Sequence, residues 1–336
     1  MNFPISDFKS QVTIPTKNED YGDFLPFALK DKKGVLLVRD FPTFIQAIGK
    51  VHYLAANVSA RTEGAPGVLR KGNAHTYRVY YRGQTELYKK RDQLLMIPAA
   101  YRAKTVNALK LADKDVEAKI RKLRSGVALK SYGLSNAAVE GVMQQYCEPS
   151  RWLDVVDNIW VALWFACYRA WTSQDIGETL SAGKFTHSEM RYIHYERRNP
   201  RLERCSARYA YFLLIGVDEC GLRLKKKVPG MWASDEFEVV NLRQALPSQY
   251  IRPHAQHGLL IRKKKADGNS KFVTDLRDCV LGVIKIPLDV ALNWLGDSPV
   301  FSSSSMFPPP SFDTGYRDLL FRDERDARIF KNIVLS

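Results

Sequence analysis

The order of apolar and polar positions divides the chain into a first half of mainly helical spacings and a second half of strand-like runs. Val35-Leu36-Leu37-Val38 predicts a short strand, and Thr43 to Ala55 predicts a helix with Phe44, Ile48, Val51 and Leu54 along one side. Gly64, Pro66, Gly67, Gly72 and Asn73 punctuate a loop that also carries Arg70 and Lys71. From Thr76 to Gln84 the aromatic and β-branched run Tyr77-Arg78-Val79-Tyr80-Tyr81-Arg82 predicts a strand that ends at Gly83. Tyr101 to Leu129 holds no Gly or Pro before Gly126 and spaces Val106, Leu109, Val116 and Ile120 helically, leaving a basic exposed face. Ser135 is placed to cap a second helix running to about Tyr146, and Pro149 stops regular structure. A third helix is expected after Asp157, read as its N-cap, through Asn158 to Ala166. Its run is apolar nearly all round, so it belongs in a core against a sheet, with Trp160, Trp164 and Phe165 inside.

In the second half, Tyr209 to Val217, Phe237 to Leu242, Gly258 to Arg262 and Val280 to Ile286 have the length and content of strands. Lys225-Lys226-Lys227 and Arg262-Lys263-Lys264-Lys265 fall between them and read as solvated hairpin tips. Ser302 to Ser305 and Pro308 to Pro310 read as a low-complexity linker ahead of a charged closing helix over Tyr316 to Ile333. Helices and strand runs without regular βαβ alternation predict an α+β fold with a mixed, largely antiparallel sheet and packed helices. Residues 1–75 are read as an N-terminal extension of helix and strand, and 76–336 as the main domain.

Composition narrows the classes. With 336 residues, 45% of them hydrophobic, the chain can bury a large core without metals or disulfides. The longest apolar run, Trp160 to Cys167, is far short of a membrane span, and Met1-Asn2-Phe3-Pro4 has no signal-like layout, so a soluble cytoplasmic protein away from membranes is expected. Five cysteines (Cys147, Cys167, Cys205, Cys220 and Cys279) contain no C-x-x-C pair and are read as reduced thiols. His254 and His257 are the one close histidine pair, with no carboxylate beside them, so no metal site is assigned and both are read as surface residues. The net charge of +15 favours a polyanionic partner, with nucleic acid the first candidate.

An Arg on a strand beside a Gly where the strand ends suits an anion, because guanidinium forks bind phosphate in pairs of hydrogen bonds and Gly lets a ligand approach the backbone. Arg82-Gly83 has this form. Arg82 paired with Asp154 inside the fold is the structural alternative, as is a local Arg151–Asp154 salt bridge beside a turn at Pro149-Ser150-Arg151.

Three segments occur together: Tyr81-Arg82-Gly83-Gln84, followed by Leu95-Met96-Ile97-Pro98-Ala99-Ala100-Tyr101-Arg102; then Gln144-Gln145-Tyr146-Cys147-Glu148-Pro149-Ser150-Arg151-Trp152-Leu153-Asp154; then Arg252-Pro253-His254-Ala255-Gln256-His257-Gly258-Leu259-Leu260. In this order they resemble the FRG domain, over about residues 76 to 330. Cys147 stands where that family usually has Gly, Ser150 where it has Thr, Val155-Val156 where it has Trp-Thr, and Leu260 where it has Phe.

The FRG pattern is in turn similar to the first motif of ADP-ribosyltransferases, which implies their fold and an NAD pocket, with NAD consumed as a substrate. In that reading Arg82 holds a phosphate or ribose, Gly83 contacts the carboxamide beside Gln84, Tyr81 or Tyr146 stacks on the ring, and Ser150 and Arg151 support the adjoining segment. Gln256 stands at the late-strand position where such transferases often carry Glu, and an amide cannot act as a base. Asp154 or Glu238 then supplies the charge that glycosidic cleavage needs. The resemblance implies an NAD-dependent transferase acting on nucleic acid or protein, as a toxin held by an inhibitory partner or as an antiphage, antiviral-defence effector. The alternative is a non-catalytic nucleic-acid or nucleotide-binding module of a defence system.

Overall fold

A computed structural model describes residues 35–56, 77–90, 93–102, 106–126, 129–146, 148–181, 184–203, 208–264 and 272–321. The loop expected around Gly64 to Asn73, most of residues 1–75, Cys147, Cys205, Lys265 and the last two-thirds of the expected closing helix lie outside the described residues.

The strands are β1 (Val35–Leu37), β2 (Tyr77–Gln84), β3 (Lys89–Lys90), β4 (Gln93–Leu94), β5 (Leu153–Val156), β6 (Tyr168–Ser181), β7 (Lys184–Arg197), β8 (Tyr209–Asp218), β9 (Arg223–Leu224), β10 (Met231–Ala233), β11 (Phe237–Asn241), β12 (Gly258–Lys263) and β13 (Val280–Pro287). The helices are α1 (Phe41–Ala56), α2 (Val106–Ser125), α3 (Asn136–Gln145), α4 (Ile159–Cys167), α5 (Leu242–Ala245), α6 (Ile251–Ala255), α7 (Leu288–Leu295), α8 (Ser303–Met306) and α9 (Thr314–Phe321). Nine strands form one sheet in the order β1-β13-β8-β2-β5-β12-β11-β10-β9. Every neighbouring pair in it is antiparallel except β1 with β13. The fold is therefore α+β with a mostly antiparallel sheet, and none of its described helices is long and apolar enough to cross a membrane.

Side chains alternate between the two sheet faces, as the two-residue strand period requires. On one face Val79, Tyr81 and Phe212 pack with α1, α4 and α7, and Leu260 packs with α2, α3 and α5. On the other, Tyr80, Leu213, Val155 and Ile261 are covered by Leu94, Met96 and Leu276. β1 and α1, from the stretch read as an extension, share this sheet and core: Phe44 meets Phe212 edge to face with centroids 5.0 Å apart.

Several expectations are corrected. The long helix starts at Val106 rather than Tyr101, because Ala99–Tyr101 closes as a short 3-10 turn behind Pro98. The cap of α4 is Asn158, whose Oδ1 accepts from the backbone N–H of Trp160 and Val161; Asp157 is turned away to Arg243 and His257. Trp164 is fully buried as expected, while Trp160 and Phe165 are only partly buried. The segment read as a linker is packed: Ser302 caps α8, Met306 and Phe307 are buried, and the Pro308 carbonyl accepts from Arg252. A long two-stranded ribbon, β6–β7, stands apart from the main sheet and had no counterpart in the sequence reading.

Candidate functional site

The local cause of the site is a split in the sheet. β2 pairs with β8 along its whole length, from Tyr77–Asp218 to Gln84–Tyr211, but meets β5 at one register position, Tyr81–Val156. Beyond that pair the two strands part, and a cavity of about 800 Å³ opens between α3 and α4. Its walls include Tyr81, Arg82, Gly83 and Gln84 from β2, Gln144 and Gln145 from α3, and Asp154 to Val156 from β5. Tyr88, Phe165, Tyr168, Tyr195 and Phe307 give it an aromatic lining, and Arg102, Arg169, Glu86, Glu203 and Gln256 are among its other polar residues.

Arg82 bridges the split in the pairing with Asp154 that the sequence offers as the structural alternative. Its Nη1 donates to the Asp154 carbonyl at 2.6 Å and lies 3.7 Å from Asp154 Oδ2. With the Gln84 amide turned to satisfy both of its ends, Gln84 also accepts from Arg82 Nε at 3.1 Å. Burial pulls the Arg82 guanidinium below its ordinary value, with Asp154 opposing and Arg102 adding to the shift.

Asp154 is oriented from α3. Gln144 Nε2 donates to Asp154 Oδ2 at 2.6 Å, while the Ser150 hydroxyl donates to Gln144 Oε1 and itself accepts from the Trp152 N–H at 3.2 Å. The side chain keeps 42% of its surface accessible, yet Oδ1 is enclosed and finds no donor among the described residues. Desolvation by the pocket walls raises the Asp154 carboxyl above its ordinary value, against the pull of Arg82 and Gln144. A carboxylate with one oxygen anchored and the other undersatisfied is poised to take a hydroxyl donor from a ligand.

The other residues singled out in the sequence divide between the pocket wall and positions away from it. Gly83 is on the wall, but its missing side chain is required by α4: a Cβ there would sit 1.8 Å from the Ala162 carbonyl oxygen. Gln256 lines the pocket from the C-cap of α6 rather than from a strand, and its Nε2 is committed to the Met306 carbonyl at 2.7 Å. Tyr81 contributes to the wall while its hydroxyl meets His52 Nε2 at 2.6 Å. Tyr146 is buried away from the pocket, stacked on Tyr316 and donating to Asp313 Oδ2 at 2.7 Å. Arg151 does not meet Asp154; it forms a paired contact with buried Glu140, from Nε at 3.0 Å and Nη2 at 2.8 Å. Glu238 binds Arg262 at 2.6 Å outside the pocket. His257 joins Asp157 and Arg243, and takes a positive φ of 50° at the turn out of α6.

Gln144 and Arg102 belong to the quoted motif segments, but nothing in the sequence marks them as site residues, because neither the tie to Asp154 nor the approach to Arg82 is local in sequence. The aromatic wall from Phe165, Tyr168 and Tyr195 had no signal at all, since it depends on where the ribbon leaves α4. Among the described residues no group of three His, Cys, Asp or Glu side chains gathers as a metal site. No family model, no curated protein and no solved structure matches this chain.

Proposed function

We propose that the split-sheet pocket binds NAD and that the protein is an ADP-ribosyltransferase-like enzyme, acting on a nucleic acid or protein acceptor. The observation that carries this reading is the aromatic-walled cavity that opens where β2 and β5 part, with Arg82 and Asp154 on its wall and Asp154 Oδ1 without a donor among the described residues. Its volume of about 800 Å³ lies in the range of ligand pockets, roughly 300–1,000 Å³. A ribose hydroxyl supplies the donor that Asp154 Oδ1 lacks, so the residues present fit the substrate. The resemblance of the three motif segments to the FRG domain supports the same assignment.

In this mechanism Arg82, with Arg102 nearby, takes the diphosphate, and an aromatic wall residue stacks on a ring of the ligand. The bond between ribose C1′ and the nicotinamide nitrogen breaks, and its electron pair leaves with neutral nicotinamide. Asp154 orients the ribose and stabilises the positive charge developing at C1′. The acceptor oxygen or nitrogen then bonds to C1′ and its proton passes to Asp154, whose raised carboxyl is a better base than an ordinary aspartate. Gln256 is left with its Oε1 to accept a hydrogen bond and takes no proton.

The test is NAD and ADP-ribose titration by thermal shift, with nicotinamide release measured alongside. Arg82→Ala is expected to weaken binding at least about tenfold, the loss of one charge-assisted contact. Asp154→Asn keeps binding and abolishes release. No thermal shift with NAD, or both variants behaving as wild type, sinks the assignment. A second reading, a non-catalytic nucleotide-binding module, draws on Gln256 standing where a catalytic carboxylate is expected; binding without nicotinamide release favours it.

A further inference from the structure

Helix α2 carries six cations and three carboxylates, and the carboxylates are already used. Asp113 Oδ1 accepts from the Tyr101 hydroxyl at 2.6 Å, Asp115 pairs with Lys119 at 3.3 Å, and Glu117 meets Arg151 at 3.4 Å. Lys110, Lys114, Arg121 and Lys122 are exposed and form no ion pair among the described residues. Positions 110, 114 and 121 recur at helical spacing with 122 beside them, so these cations form one outward stripe roughly 18 Å long. The opposite face, Ala112, Val116, Ile120 and Leu123, is buried in the core and fixes the stripe outward.

From this geometry we infer that the outer face of α2 is a polynucleotide-contacting surface, in which the four cations follow a phosphate backbone. A lipid surface is disfavoured by the same facts: an interfacial helix inserts its apolar face, and here that face is occupied by the core, leaving Leu111, at 69% exposure, as the one large apolar side chain turned outward among the described residues of α2. A protein partner would call for a cluster of aromatic or aliphatic anchors, and Leu111 alone does not make one. A run of unpaired cations with little apolar surface matches a phosphate chain, whose affinity comes from counterion release. The chain links the stripe to the pocket wall. Arg102, a wall residue, precedes Val106 by four positions, a span of at most roughly 14 Å. The inference does not depend on what the pocket binds, but it supplies a nucleic-acid class of partner beside it.

The test is fluorescence anisotropy with a labelled single-stranded RNA and a DNA duplex, each of about 25 units, across roughly 50–200 mM salt. The variant carrying Lys110→Gln, Lys114→Gln, Arg121→Gln and Lys122→Gln is compared with one carrying Lys225→Gln, Lys226→Gln and Lys227→Gln, and circular dichroism checks that both remain folded. Wild type is expected to bind with steep salt dependence. The α2 variant should lose at least about tenfold in affinity, with a salt slope shallower by about three for the single strand and about three and a half for the duplex, roughly 0.7 and 0.9 for each of the four lost contacts. The control variant should retain most of both. Three results overturn the inference: no binding of either polynucleotide by wild type at the lowest salt, an unchanged slope in the α2 variant, or an equal loss in the control. Preferential binding of wild type to anionic phospholipid vesicles over RNA and DNA overturns it as well. NAD titration is read separately, so failure here leaves the pocket assignment standing, and the reverse holds too.

Discussion

At the scale of single residues the proposed chemistry rests on Asp154, whose enclosed Oδ1, hydrogen bonds and charge partners meet at the cavity wall. A carboxyl raised in the folded state binds its proton more tightly there than in the unfolded chain. Stability therefore falls as pH rises from the ordinary value of 3.8 through the folded value, and that loss is absent below it. Against Asp154→Asn, which cannot titrate, the wild type is expected to lose relative stability over this window when urea unfolding is repeated from acid to neutral pH. A difference that stays flat, or grows in favour of wild type, refutes the raised carboxyl. Gln144→Leu removes a donor to the charged form and should push the Asp154 titration higher still, read by carbon NMR of its carboxyl. Arg82 and Asp154 were legible in the sequence as a strand Arg and a motif acid. Arg151 and Tyr146 were misplaced because their partners, Glu140 and Asp313, are chosen by packing rather than by spacing.

Elements were legible wherever period and length agreed: β2, β8, β11, β12 and β13 lie where aromatic and β-branched runs predict them. The apolar helix α4 is central because it crosses the sheet so closely that only Gly83 fits beneath Ala162. Its start was off by one residue, since Asp157 and Asn158 are both good caps in sequence and only the fold assigns Asp157 to Arg243. Asn158→Ala should cost about 1 kcal/mol of stability, the usual worth of an N-cap. Asp157→Ala should not reproduce a cap loss, although it frees Arg243 and His257. Urea unfolding of the two variants separates them; equal destabilisation would show that the cap is not what Asn158 contributes. The ribbon β6–β7 has no clear signal in the sequence because its polar and apolar residues are mixed without a sustained two-residue alternation.

For the molecule as a whole, the chain after α7 is what closes the site, although serine- and proline-rich composition reads as a linker. Arg252, fully buried, lies 3.7 Å from the Phe307 ring centroid and 3.9 Å from that of Tyr316, and donates to the carbonyls of Pro308 and Gln145. Asp313 fastens the same region: its carboxylate accepts from the Tyr146 hydroxyl, the Arg252 N–H and the Tyr316 N–H, which also starts α9. This clasp joins the motif segment ending α3, the turn into α6 and the C-terminal chain. It also holds Met306, whose carbonyl fixes Gln256, and Phe307, which walls the pocket. Asp313→Ala leaves three buried donors without their acceptor, each worth roughly 1–3 kcal/mol, so a loss of about 3 kcal/mol or more is expected in urea unfolding. The same variant should weaken whatever ligand the cavity takes, because the wall formed by Phe307 and Gln256 is released even though neither is altered. Asp313→Asn keeps one acceptor oxygen and should fall between the two. A variant as stable as wild type would mean that the C-terminal chain packs on the domain without holding it, and that the cavity wall stands on the sheet alone.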